Sequence, residues 1–357
     1  MERMTNPLAN STGPAAREAD VLIVGAGICG LMAAAGLTSQ RAGRSLRTVL
    51  LDKGRTAGGR LGTRRIGLGR ADHGAQFFTA RDQRFAELVE RWQGDNLIFR
   101  WSSGWSDGSL GGAAANDGHP RYAAHGGMNS LAQHLAAALS HQGVPVVTGA
   151  QVVAAAPDGE GWSVRDDSGR VWRSHSLVLT APVPQSLAVL AAGGVTLESH
   201  QQRALQAVTY APCLCALFWV DDTVWLPAPG AVQRPQADIA WIADNQRKGI
   251  SPYAPVFTLH ASPAWSAAHF DDPDEALLAA FCAALSEWTS SGKFQSREVQ
   301  IKRWRYALPT TVHGERWLAA TGLPPLYFGG DAFGSPRIEG AVLSGLAIAD
   351  ALADTLG

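Results

Sequence analysis

The chain has 357 residues, 46% hydrophobic and 17% charged, which excludes a disordered or fibrous protein and fits about two domains of ~100 to 200 residues. Its 30 Lys and Arg against 31 Asp and Glu leave a formal net charge of -1, without the basic excess of a nucleic-acid binder or a basic peripheral membrane protein, so no nucleic acid and no membrane is expected as a partner. Four cysteines (Cys29, Cys213, Cys215, Cys282) make no disulfide framework and no zinc spacing, which points to a reducing, cytoplasmic compartment and no metal site.

Residues 1–18 are expected to form a loose N-terminal extension. The stretch Val21 to Leu37 is apolar enough to imitate a signal peptide or a membrane span, yet Glu18 and Asp20 precede it and Gly25, Gly27, Gly30 and Gly36 interrupt it. Val21 to Val24 instead predicts a strand buried on both faces, followed by the turn Gly25-Ala26-Gly27-Ile28-Cys29-Gly30 and a helix over Leu31 to Leu37. Gly25 permits the tight turn, Gly27 admits a pyrophosphate to the backbone, and Gly30 lets helix and strand pack closely. A second strand, Thr48 to Leu51, ends in Asp52, 22 positions after Gly30 and well placed for a ribose hydroxyl. Lys53 follows, and then the second glycine turn Gly58-Gly59-Arg60. A nicotinamide dehydrogenase has no need of that turn; a protein wrapping a whole FAD does, with Gly59 backbone and the Arg60 guanidinium meeting the pyrophosphate from the other side. Arg64, Arg65 and Arg70 are read as a solvated basic loop.

The run Asp72 to Phe78 is expected to pass the flavin face through Ala75, Gln76 and Phe77. A strand at Val144 to Val147, a small meander through Gln151 to Ala155, Gly161 to Val164 and Val171-Trp172, and a returning strand at Leu177 to Ala181 follow, with Val152 expected at the cofactor. The acidic run Asp271 to Glu275 reads as the first turn of a helix over Ala276 to Leu285 rather than as a metal cluster. Pro325 to Phe328 predicts a strand closing on Gly329-Gly330-Asp331, before a helix from Ile338 to about Leu356. Asp331 suits ribityl hydroxyls, and the helix start at Ile338 suits the charge developing on a reduced flavin. This order predicts an α/β (α+β two-domain) protein, with a discontinuous Rossmann-like FAD-binding domain from 19–78, 121–186 and 296–357. The substrate domain is expected from 79–120 and 187–295.

The glycine fingerprint, Gly58 to Arg60, Gly74 to Phe78, Gly126 to Leu131, Leu179 to Gln185 and Gly329 to Asp331 together resemble the flavin amine oxidase superfamily, and most closely its bacterial-type renalase family. Trp241 to Lys248, Phe257 to His260 and Lys302 to Tyr306 look like renalase segments in the same order. The resemblance implies a fold of the p-hydroxybenzoate hydroxylase / amine oxidase type with an inserted mixed-sheet substrate domain. It also implies an FAD oxidase of misreduced 2- or 6-dihydro isomers of NAD(P), passing hydride to the flavin and electrons to O2 to give hydrogen peroxide and NAD(P)+. The alternative in the same fold is oxidation of a primary or secondary amine. Two departures from amine oxidases weigh against it: Cys213 to Val220 lacks the lysine those enzymes place near the flavin, and Ile338 to Gly345 lacks the cysteine of covalent attachment. FAD is therefore expected to be non-covalent.

By the same resemblance Trp241, Asn245, His260, Trp304 and Tyr306 are the substrate-side residues. Trp304 and Tyr306 suit ring walls, and His260 and Asn245 suit a carboxamide or ribose. Against this, a lone His in an apolar strand is more often structural and a Trp is as often core; His73 and His125 read as turn residues. Twelve Trp are nonetheless what a pocket for a flat ring would use.

Overall fold

The computed structural model describes residues 17–39, 46–109 and 115–356. The extension expected at 1–18 lies outside them except for Arg17 and Glu18, which open the first strand. β1 (Arg17–Val24) leads into α1 (Ile28–Ser39) and β2 (Thr48–Asp52). Val21, Leu22 and Ile23 are fully buried, as an apolar run covered on both faces must be. β3 (Thr63–Ile66) and β4 (Gly69–Asp72) make a hairpin. α2 (Gln83–Gly94) starts where Asp82 accepts the Arg84 N–H, and buries Phe85, Val89 and Trp92 at helical spacing. The antiparallel pair β5 (Ile98–Trp105) and β6 (Ala115–Ala124) precedes α3 (Met128–His141). Then come β7 (Val146–Thr148), β8 (Val152–Asp158), β9 (Gly161–Asp166) and β10 (Val171–Leu179), with α4 (Val183–Ala192) and α5 (Ser199–Gln206) after them. β10 is one continuous strand where two were expected, because β1 pairs with it from Trp172 to Leu179, while β9 pairs with its first half and a later strand with its second.

β11 (Thr209–Val220), β12 (Ala231–Gln233), β13 (Ile239–Asp244) and β14 (Val256–Ala261) follow, then α6 (Pro263–Ala268) and α7 (Asp274–Ser286). α7 carries Asp274 and Glu275 in its first turn and buries Leu277, Phe281 and Leu285, as the acidic run implied. The chain closes with β15 (Ser296–Thr311), β16 (Leu318–Ala319), β17 (Leu326–Phe328) and α8 (Arg337–Leu356). Among the described residues no helix is long and apolar enough to cross a membrane.

Two compact units result. The first holds the described residues up to Gly59, Ala132–Thr209 and those from Thr311. Its sheet runs β16-β17-β10-β1-β2-β7, parallel from β17 to β7, with β9 and β8 added antiparallel beside β10. The chain leaves β1 toward β2 on one side and returns as β10 on the other, so the carboxyl end of β1 is the switch point where such sheets bind ligands. The second unit, Arg60–Leu131 and Tyr210–Thr310, contains the sheet β12-β13-β14-β11-β15 and the two hairpins β3-β4 and β5-β6.

The expected boundaries move accordingly. Residues 60–78, 121–131 and 296–310 pack in the second unit rather than with the cofactor domain, and 187–209 pack in the first. The causes are local: Gly69 of the β3-β4 hairpin lies against Ala254 and Val256, β15 pairs into the sheet beside β11, and Gly193 after α4 is pressed on the Ala155 backbone of β8.

Candidate functional site

In the first unit the glycines of the opening turn divide their work. Gly25 has φ +113, and a side chain there would overlap Thr180; a Cβ on Gly30 would overlap the Gly25 carbonyl. At Gly27 a Cβ would meet nothing within 4 Å, so the chain leaves open space against its own backbone at the start of α1. Gly58 donates to the Ala26 carbonyl at 2.8 Å, and Gly59, with φ +54, would place a Cβ 3.5 Å from the Gly27 Cα. The two glycine turns therefore lie backbone to backbone beside that space. The first turn of α1, which opens at Ile28, carries the positive end of the helix dipole. This cradle fits a diphosphate.

Asp52 at the end of β2 accepts the Ala26 N–H at 2.7 Å and the Gly54 N–H at 2.6 Å. Burial raises its carboxyl above the ordinary value, opposed by those two hydrogen bonds. It ties the glycine turn to β2 and, with two lone pairs on each oxygen, can still accept from a ribose hydroxyl. Lys53 turns to Gln185 at 3.4 Å. Val152 opens β8 and is buried. Gly330, with φ +135, donates to Ser344 Oγ at 2.9 Å, and that hydroxyl also receives the Cys29 thiol at 3.8 Å. Thr180 Oγ1 reaches the carbonyls of Val24 and Gly25, both at 3.1 Å. Thr180 and Ser344 thus join the Gly25 and Gly330 turns, bringing Asp331 and Ile338, both buried, into the same unit as the diphosphate cradle.

In the second unit Trp241 and His260 are cross-strand partners, and Cys215 faces His260 from its other side. One sheet face therefore carries an indole, an imidazole and a thiol in a row. Phe77 packs 4.9 Å from the Trp105 ring and 5.6 Å from Trp241, and Trp105 meets Trp241 edge-on at 4.9 Å. Trp304 donates Nε1 to the His73 carbonyl at 2.8 Å and stacks on the His73 ring at 5.2 Å. Among the described residues, four polar ring atoms here are buried without a hydrogen-bond partner: His260 Nε2, His73 Nδ1, Trp241 Nε1 and Trp105 Nε1. Burial, with His73 and Lys248 adding to it against a backbone hydrogen bond at His73, lowers the His260 imidazole from 6.5 to about 4. Burial and the charges of Arg64 and Lys302 take His73 to about 4 as well. Both rings are neutral at pH 7 and offer one donor and one acceptor each. β11 carries no lysine, and burial pushes its Cys213 thiol up to about 12.

Other expectations need correcting. Asn245 is fully buried and its amide is spent: Nδ2 donates to the Val256 carbonyl at 3.1 Å and Thr258 Oγ1 at 2.9 Å, while Oδ1 accepts the Asp72 N–H at 3.3 Å. It holds the Asp72 strand, with both of its N–H donors used. Tyr306 packs edge-on against Tyr210 at 5.5 Å, and its carbonyl accepts Arg60 Nη1 at 3.2 Å. Arg60 is thereby committed in part to β15, whose Ala307 carbonyl it also reaches at 3.4 Å. Ala75 donates to the Arg60 carbonyl at 2.9 Å. Gln76 is buried, with Nε2 on the carbonyls of Asp72 and Gly74 and with Oε1 unpartnered.

The feature that sequence reasoning missed is behind this segment. Lys248 is fully buried, with Nζ 2.6 Å from Asp72 Oδ2, 2.6 Å from the Gln76 carbonyl and 4.6 Å above the Trp101 ring. Asp72 Oδ1 accepts Thr63 Oγ1 at 2.5 Å and the Met128 N–H of α3 at 2.8 Å. Burial lowers the Lys248 ammonium below its ordinary value and Asp72 opposes that. In the sequence Lys248 is visible only as the last residue of the Trp241 to Lys248 segment, with nothing to mark it as buried.

One unit holds a parallel nucleotide-binding sheet with a diphosphate cradle and the other a sheet face lined by neutral rings, which together make a two-unit dinucleotide-binding fold. Residues 23–92 match the NAD(P)-binding Rossmann-like domain, and 96–353 match the flavin containing amine oxidoreductase family. The chain belongs to the flavin containing amine oxidoreductases. Among solved structures it is similar to a protein from Exiguobacterium sp. 255-15 provisionally described as a protoporphyrinogen oxidase, at 14% identity and TM-score 0.72, over 96% of this chain and 100% of that one. It is also similar to putrescine oxidase bound to putrescine, at 15% identity and TM-score 0.69, over 95% of this chain and 100% of the other. At such identities these likenesses concern the fold. The family carries a flavin, and the cradle around Gly27 fits the diphosphate of FAD.

Proposed function

We propose that this protein is a non-covalent FAD oxidase of the renalase type, acting on 2- or 6-dihydro isomers of NAD(P) in a reducing, cytoplasmic compartment. Gly25 to Gly30, Asp52, Lys53, Gly59, Arg60, Val152, Gly330, Asp331 and Ile338 would hold the dinucleotide, and Ala75 to Phe77 its ring. FAD when bound supplies the hydride acceptor and passes the electron pair to O2, so that dihydro-NAD(P), a proton and O2 give NAD(P)+ and hydrogen peroxide. The observation that carries this reading is the Trp241–His260 face. Its unpartnered groups are uncharged, an indole N–H and a neutral imidazole, and they suit a neutral flat ring bearing a carboxamide. Leaving hydride needs no base from the protein, because the dihydropyridine departs as an aromatic cation. The residues need only bind two rings in register and keep water out. The four cysteines are free thiols, which supports the compartment.

The test is anaerobic mixing of the purified holoprotein with 2- and 6-dihydro-NAD(P) and, separately, with a panel of primary and secondary amines, following flavin absorbance. Rapid bleaching by a dihydro isomer, with peroxide released once air is admitted, is expected. Bleaching by amines alone overturns the reading in favour of amine oxidation.

A further inference from the structure

Within the second unit, β15 sorts its charges by face. Its odd-numbered arginines are matched: Arg297 pairs with Asp221, Arg303 with Asp274 at 2.6 Å and Arg305 with Asp271 at 3.7 Å. Its even-numbered side chains turn the other way, toward the β3-β4 hairpin and the residues after it. Glu298 Oε2 accepts the Gly67 N–H at 2.8 Å, Gln300 Nε2 donates to the Arg65 carbonyl at 3.2 Å, and Trp304 Nε1 donates to the His73 carbonyl at 2.8 Å. Lys302 stands between Gln300 and Trp304 on that face and, among the described residues, makes no ion pair or hydrogen bond.

The hairpin turns a second cation to the same place. Ile66 and Ala71 are buried with Cys215 and Leu217 of β11, and Arg64 shares their face, two residues before Ile66 and directly opposite Ala71. Arg65 and Arg70 oppose each other on the other face. Arg64 likewise makes no ion pair or hydrogen bond among the described residues. Burial, and after it the charge of Arg64, lowers the Lys302 ammonium below its ordinary value. Cys215 and Asp274 oppose this, but Asp274 is already bonded to Arg303. Lys302 is half-buried and Arg64 exposed, so a ligand can reach both. Two like charges without an acid repel each other, and an anion offsets that; a guanidinium beside an ammonium is a donor set that phosphate oxygens take. The row Trp241, His260, Cys215 leads across the sheet to β15, and the charge of Lys302 bears on Cys215. With β11 between them, β14 and β15 are about 10 Å apart at ordinary strand spacing. A flat ring at Trp241 and His260 and a phosphate at Lys302 are then the two ends of one nucleotide, joined by its ribose.

We propose that Arg64 and Lys302 bind the phosphate next to the substrate's reactive ring, so that the protein takes phosphate-bearing dihydronicotinamides and discriminates against the bare riboside. This rests on the dihydronicotinamide reading above, and every residue it uses belongs to the second unit.

The experiment measures kcat and KM of the holoprotein for a dihydro-NAD isomer and for the matching dihydronicotinamide riboside. It compares wild type, the double variant Arg64→Gln/Lys302→Gln, and Arg65→Gln as a charge control from the other face of the hairpin. Wild type prefers the dinucleotide by about tenfold or more in kcat/KM, the worth of a charged hydrogen bond. In the double variant KM for the dinucleotide rises by about that factor while kcat holds, and the preference disappears. Arg65→Gln keeps it. A wild type without the preference, a double variant that retains it or loses both substrates alike, or an Arg65→Gln protein that loses as much, overturns the proposal while leaving the dihydronicotinamide reading intact. A second measurement needs no turnover. In labelled protein, inorganic pyrophosphate moves the backbone amide resonances of Arg64 and Lys302 in wild type and leaves the same positions unmoved in the double variant. Resonances indifferent to it in wild type overturn the anion site even if no dihydronicotinamide reduces the flavin, an outcome that by itself sinks the reading on which the proposal rests.

Discussion

Gly25, Gly27 and Gly30 lie within six residues and meet three different neighbours, so substitution separates folding from binding. Gly30→Ala forces a methyl into the Gly25 carbonyl and should destabilise the flavin-free protein by about 1–3 kcal/mol in a denaturant titration. Gly27→Ala meets open space, so its stability should stay near wild type while FAD affinity falls about tenfold or more, ~1.4 kcal/mol, in a flavin fluorescence titration. A Gly27→Ala protein that binds FAD normally would remove the diphosphate assignment. The glycine roles were legible because the motif is local. Asn245 and Lys248 were not: their partner Asp72 is 173 and 176 residues away, and a polar side chain spent on a distant backbone looks in sequence like one available to a ligand.

At the scale of elements, α1 and α8 meet through small residues. A Cβ on Gly36 would stand 2.5 Å from that of Ala349, and one on Gly345 would overlap the Cys29 carbonyl. Gly345→Val should therefore cost about 1–3 kcal/mol by overpacking, whereas Ala347→Val, on a half-buried face of the same helix, should stay within about 0.5 kcal/mol; equal losses in thermal unfolding would show that the helix contact is not the cause. β1, α1, β2, β17 and α8 were readable because each is a dense apolar run with its own turn signal. β15 was not. Its residues are mostly half-buried or exposed, so no clean alternation marks it, and its membership of the second unit follows from pairing beside β11, which no local pattern encodes.

At the scale of the whole molecule, two buried imidazoles couple folding to pH. His260 and His73 titrate at about 4 in the folded protein against 6.5 ordinarily, so between those values the unfolded chain binds more protons than the folded one. Stability is then complete above about pH 6.5 and is lost as pH falls toward 4, by roughly 3 kcal/mol for the fully buried His260. His260→Gln should flatten the acid limb of a plot of unfolding free energy against pH, and an unchanged limb would assign the loss to other groups.

The sheet face that carries His260 also carries Cys215, with Cys213 two residues before it on the same strand. Burial raises Cys213 to about 12 and Cys215 well above its ordinary value, so that at pH 7 only about one Cys213 thiol in 10⁵ is ionised. Peroxide attacks thiolates, not thiols. Peptide mass spectrometry after exposure of the native protein to hydrogen peroxide should find Cys213 and Cys215 unoxidised, and their modification at the rate of a free thiol would contradict this. Sulfur that burial keeps protonated is sulfur that an oxidant in solution leaves alone.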